Sequence, residues 1–258
     1  MKTFVVGIDC ATEPKKRGIA FGHCSNNVTT CEVSSYEIGL TDEEIASRVH
    51  QIFAGQATKV LLALDAPLGW PIALGNSLVN HIAGQSLPTS ADMMFRRETD
   101  RFIKRTCNKQ PLDVGADRIA RTAHSALTLL ATISGVIGID IPLAWSPDFK
   151  GIAAIEVYPA ATLRAYDLPD SGYKDKMSKA DEAVRKKIID ELPPSLTLPN
   201  DRTLLLKNAD ALDATICVLA GIDFLSCQAH KPTDKALAHK EGWIWVKETA
   251  SVPPPVKF

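Results

Sequence analysis

Apolar residues first gather at positions 3–8, a β-branched and aromatic run that ends on Asp9. Pro14-Lys15-Lys16-Arg17 reads as a turn, after which an apolar pattern resumes at 18–22 and a looser alternation covers 28–36. Three consecutive antiparallel strands fit this pattern best. Thr41 followed by Asp42-Glu43-Glu44 has capping-box spacing, and Ile45, Val49, Ile52 and Phe53 then share one face, which predicts a helix ending near Gly55. Residues 60–64 form a continuous apolar run of the kind buried on both faces of a sheet, which predicts a central parallel strand closing on Asp65-Ala66-Pro67.

From about residue 68 to 150 the periodicity is mainly helical, punctuated by Gly69, Pro71, Gly84, Pro88, Pro111 and Pro142. A further strand is expected at 152–157, helices at 160–166, 178–192 and 208–224, and an edge strand at 243–246. The proline-rich tail at 252–256 is too short to be more than a stiff extension. Strands in hairpin order, then helices alternating with strands, give an α/β class with a helical insertion between two strands, expected as one domain over 1–258.

Composition narrows the class. Lys and Arg total 29 against 30 Asp and Glu, which excludes a polybasic nucleic-acid coat, while 45% hydrophobic and 23% charged residues suit a chain with a full core. The six cysteines form no CxxC pair and no signal-peptide core follows Met1, so a cytoplasmic location is expected. The uncharged stretch at 122–139 is diluted by polar residues and glycines, so no membrane segment is expected. P-loop, G-x-G-x-x-G and G-x-S-x-G motifs are absent from the sequence.

Candidate chemistry rests on carboxylates. Asp9 and Asp65 stand at strand C-termini, where α/β sheets bind ligands; alternatively each caps the turn that follows its strand. Asp210 and Asp213, at i and i+3 among alanines, share a helix face that small residues allow close to the sheet. Asp210 near the helix start is also favoured by capping and the macrodipole. Asp213, a turn further in, loses helix propensity and repels Asp210, a cost that a bound cation relieves. Oxygen-only ligands without a His or Cys set suit Mg²⁺ or Mn²⁺ and phosphoryl chemistry. Two such ions generate a nucleophile from water and stabilise the leaving oxygen of a phosphodiester.

These residues resemble the ribonuclease H-like nuclease superfamily: Gly7-Ile8-Asp9, Ala63-Leu64-Asp65-Ala66-Pro67, and the Asp210-Ala211-Leu212-Asp213-Ala214 motif, which is similar to that of RuvC-type Holliday-junction resolvases. Arg97-Glu98-Thr99-Asp100, Glu156-Val157-Tyr158-Pro159-Ala160 and Gly172-Tyr173-Lys174 make the whole chain resemble the domain of unknown function 429 group of predicted nucleases. The resemblance implies a ribonuclease H-like mixed sheet flanked by helices, with Asp9, Asp65, Asp210 and Asp213 at the four metal-binding acid positions. It also implies a nuclease acting on DNA or RNA.

Glu156 lies in an apolar run, so either a metal or an arginine must satisfy it, and it is expected as an outer member of the catalytic set. Arg97 and Arg101 on a basic helix, Lys174 after Gly172-Tyr173, and Lys16 on the first hairpin turn are candidate phosphate contacts, against a bland reading as surface charge. Arg97 and Asp100, at i and i+3, are either a surface pair or an outer shell to the acids. Two rival functions share these features: a non-catalytic nucleic-acid-binding protein on the same fold, and an actin-like ATPase or sugar kinase.

Overall fold

A computed structural model describes residues 2–54, 58–115 and 117–249. The N-terminal hydrophobic run forms β1 (Lys2–Asp9), joined by a short 3-10 turn to β2 (Gly18–Cys24) and then β3 (Cys31–Ile38). β3 starts later than the alternation suggests, because Val28 takes a positive φ in the preceding turn. Helix α1 (Asp42–Ala54) carries the expected capping box: Thr41 N donates to Glu44 Oε2 at 2.8 Å and Glu44 N to Thr41 Oγ1 at 3.3 Å. It runs to Ala54, and the expected stop at Gly55 lies outside the described residues.

β4 (Thr58–Asp65) pairs in parallel with β1 and with β5 (Ile152–Glu156). A two-residue β6 (Leu196–Thr197), too short for a sequence signal, adds to β3, giving the order β5-β4-β1-β2-β3-β6. Three antiparallel strands followed by parallel ones is the ribonuclease H-like arrangement that the sequence implied. Its central register sets Asp9 directly opposite Asp65. The expected insertion is the segment between β4 and β5, holding α2 (Ile72–Leu78), α3 (Ala91–Phe95), α4 (Glu98–Cys107) and α5 (Asp117–Ile137). None of the helices among the described residues is long and apolar enough to cross a membrane.

After β5 come α6 (Pro159–Ala165), α7 (Lys179–Asp190), α8 (Thr203–Lys207), α9 (Ala209–Leu225) and α10 (Lys235–Glu241). Positions 243–246 make one isolated bridge, Ile244 with Glu156, rather than an edge strand. Trp245 N donates to Glu156 O at the end of β5, while the Ile244 amide, on the side away from β5, donates to Thr99 Oγ1 at 2.8 Å. The tail at 252–256 lies outside the described residues.

Helices cover both faces of the sheet. On one, Ile45 and Val49 of α1 and Leu129 and Ile133 of α5 pack against Val6, Ile8, Leu62 and Leu64. On the other, α9 lies across the central strands, and its approach is set by glycines. A Cβ on Gly7 would fall 2.0 Å from Ala214 O and one on Gly18 2.1 Å from Asp210 O, so the helix backbone rests directly on the hairpin. Gly7→Ala is therefore expected to cost about 3 kcal/mol of folding free energy by overpacking, read from urea denaturation; unchanged stability would contradict this seating of α9.

Candidate metal centre

Three elements deliver the centre. β1 and β4 end side by side on Asp9 and Asp65, and the close packing of α9 brings Asp213 onto the same spot. One carboxylate oxygen from each of Asp9, Asp65 and Asp213 lies within 4.8 Å of the others. Asp210, one turn nearer the start of α9, is outside that group and pairs with Lys176. The cap of α9 is Asn208, whose side chain accepts from Asp210 N at 2.8 Å and Ala211 N at 3.3 Å. Neither aspartate of the motif is spent on capping, and Asp213 is fully buried.

Burial and mutual repulsion work against ionising this cluster. Burial pushes the Asp9 carboxyl well above the ordinary range, with Asp65 adding to the effect. Asp65 is raised to about 6 by burial, the Lys174 ammonium pulling it back and Glu156 pushing it further up. Asp213 is held by donors: Tyr173 OH donates to its Oδ1 at 2.8 Å, and Lys174 Nζ contacts its Oδ2.

A cleft of about 250 Å³ opens over the acids, with Asp9, Asp65, Arg97, Glu156 and Tyr158 among its walls. Glu156 is satisfied by an arginine. Arg97 NH1 and NH2 donate to its two oxygens at 2.7 and 2.6 Å, and Leu68 N donates to Oε2 at 2.9 Å. Arg97 Nε and NH2 also reach Asp100 at 3.1 and 2.8 Å, so this guanidinium is buried as a bridge between two carboxylates instead of lying along a solvent-facing helix. Glu241, which sequence reasoning missed, accepts from Ile72 N at 2.9 Å and Glu98 N at 2.8 Å, fastening the insertion to the C-terminal end of α10.

The other candidates are spread out. Arg101 donates to Glu98 at 3.2 Å and Arg96 O at 2.9 Å, and Lys16 pairs with Glu13 on its exposed turn; neither makes an ion pair with the acidic cluster. Lys174 does. Tyr173 enters the sequence reading only within the Gly172-Tyr173-Lys174 motif, with no role for its hydroxyl, because an aromatic flanked by glycine and lysine reads as loop; Arg185, which holds the Tyr173 carbonyl, escapes notice because it sits amid ordinary surface charge on α7.

The residues fit a divalent cation. All three donors are carboxylate oxygens, two of them, from Asp9 and Asp65, line the cleft while Asp213 lies buried beside them, and a side-chain ammonium already sits on Asp213 as a cation. Fold and site together define a mixed α/β protein with an all-oxygen acidic centre at the C-termini of its two central parallel strands. The chain belongs to the family described as "Protein of unknown function (DUF429)", whose model matches residues 7–235 and so spans every acid of the centre. No curated protein matches it. Among solved structures it is similar to T. thermophilus RuvC in complex with a Holliday junction substrate, at 12% identity and a TM-score of 0.28, over 86% of this chain and 94% of that one.

Proposed function

We propose that the protein is a divalent-metal-dependent nuclease that hydrolyses phosphodiester bonds of DNA or RNA with Mg²⁺ or Mn²⁺, by a two-ion mechanism. The observation that carries this reading is the convergence of Asp9, Asp65 and Asp213 from three separate elements. Metal ions held there supply an activated water and neutralise charge on the departing oxygen. Asp9, Asp65 and Asp213 hold them, with Asp210 and Glu156 completing the acidic surround. Tyr173 fixes the rotamer of Asp213 through its hydroxyl, and the Arg97–Glu156 pair fixes the wall at Leu68, beside Asp65. Lys174 and Lys176, both partly exposed, provide positive charge where a phosphate backbone enters, with Arg101 and Lys16 as outlying contacts. Six free thiols suit a reducing compartment such as the cytoplasm.

The test is cleavage of labelled branched DNA, RNA–DNA hybrid, single-stranded DNA and single-stranded RNA, with Mg²⁺ or Mn²⁺ across pH 5 to 8. Cleavage of at least one substrate is expected to require metal and to fall as pH drops through about 6, because protonated Asp65 cannot ligate a cation. Failure to cleave any of them, together with metal-independent binding of nucleic acid, would overturn the reading in favour of a binding protein on this fold.

A further inference from the structure

We propose that Lys174 is a tethered stand-in for the metal: its ammonium holds Asp213 while the centre lacks a divalent cation, is exchanged when one enters, and then takes a substrate phosphate. The last step rests on the nuclease reading; the exchange does not.

Lys174 brings the only cation among the described residues that forms an ion pair with the Asp9, Asp65 and Asp213 group. The pair is lopsided. Asp213 is fully buried, whereas the Lys174 side chain is 59% exposed, so the acid is fixed in the site and the base arrives from solvent. Asp213 needs the contact, since a buried carboxylate next to two others is costly without a counter-charge. Tyr173 OH satisfies only Oδ1, leaving Oδ2 to whichever cation is present.

The backbone around Lys174 is clamped, so the exchange falls to the side chain. Arg185, buried on α7, donates from NH1 to Tyr173 O at 2.5 Å and to Asp175 O at 3.0 Å, and from Nε to Leu206 O at 2.6 Å. Asp175 N is in turn held by Asp181 Oδ2 at 2.9 Å. The peptide is thus fixed on both sides of Lys174. A flexible four-carbon stem on a fixed backbone keeps the ammonium within reach of the centre after it leaves Asp213, on the solvent side, where an incoming phosphate is the next anion it meets. Lys176 stands in the same relation to Asp210 one residue pair outward.

Two measurements on the full chain test this. Mn²⁺ affinity by titration calorimetry is expected to be tighter in Lys174→Met by on the order of tenfold, the scale of one hydrogen bond between charged groups, and to return to the wild-type value in Lys174→Arg. Amine-reactive labelling of Lys174, read by peptide mass spectrometry, is expected to increase when Mn²⁺ is added to the wild type. Unchanged affinity in Lys174→Met, or labelling that does not respond to Mn²⁺, overturns the exchange. If labelling rises and affinity shifts as expected but no nucleic acid is cut, the exchange stands and the nuclease reading fails. If wild type and variant both fail to bind Mn²⁺, both fall.

Discussion

Asp9→Asn is expected to lower metal-dependent cleavage by on the order of a thousandfold or more while leaving the protein folded and at least as stable as the wild type. The amide keeps the shape of the carboxylate but cannot supply anionic charge to a cation. Stability moves the other way because burial and Asp65 hold the Asp9 carboxyl well above its ordinary range. A carboxyl whose folded value is raised contributes stability that is complete below its unfolded value and is lost as pH rises through the folded one. The variant, which never ionises, escapes that loss, so its thermal midpoint should match the wild type in acid and exceed it at pH 8. Asp213→Asn should lose cleavage equally. Its effect on stability is smaller, since Asp213 is the acid that Tyr173 and Lys174 already accommodate. Unfolding of Asp9→Asn would return Asp9 to a structural role at the end of β1.

Arg97→Met is expected to be the most destabilising single change near the centre, costing about 3–5 kcal/mol. It removes the one guanidinium between Asp100 and Glu156, which are both buried, and strands two carboxylates without a counter-charge. For a chain of this size that is a fall in melting temperature of roughly 10 °C, measurable by calorimetry. Adding Glu156→Gln to Arg97→Met should recover part of the loss, because one of the orphaned charges is gone. Arg101→Met, four residues along the same helix, breaks a partly exposed pair with Glu98 and should cost less than about 1 kcal/mol. Equal effects at the two arginines would mean that Arg97 is not the buried bridge described above.

The contrast between those arginines shows where sequence is informative. Charge spacing on a helix reports which residues share a face, but not whether that face meets solvent. Arg97 and Arg101 are therefore both open to a solvent-facing reading as sequence, the Arg97–Asp100 spacing adding only an alternative as an outer shell, and they are opposite as structure, since Thr99 and Asp100 between them turn inward to Ile244 and Arg97. The acids were more legible. A strand of apolar residues that stops on Asp predicts a carboxylate at the C-terminal end of that strand whatever its neighbours, and two such strands pairing in parallel bring Asp9 and Asp65 together by register alone. Asp213 was legible because an acid a full turn inside a helix, on the same face as Asp210, loses helix propensity and repels its neighbour with no capping role to offset either. By contrast, β6, α8 and α10 are short and owe their form to tertiary contacts, as with the Ser195 carbonyl that accepts from Cys31 N beside β6. Tyr173 was hidden for the same reason: its partner lies 40 residues away along the chain.

The carboxylates of the centre enter the chain at positions 9, 65 and 213, the last of them on the helix that closes one face of the sheet. A polypeptide emerging from the ribosome therefore carries two of its three acids long before the third is made. On the proposed reading, an incomplete or truncated chain ending before α9 is harmless to the nucleic acid around it. On that same reading, the set of acids that cutting needs is complete only once α9 has been synthesised.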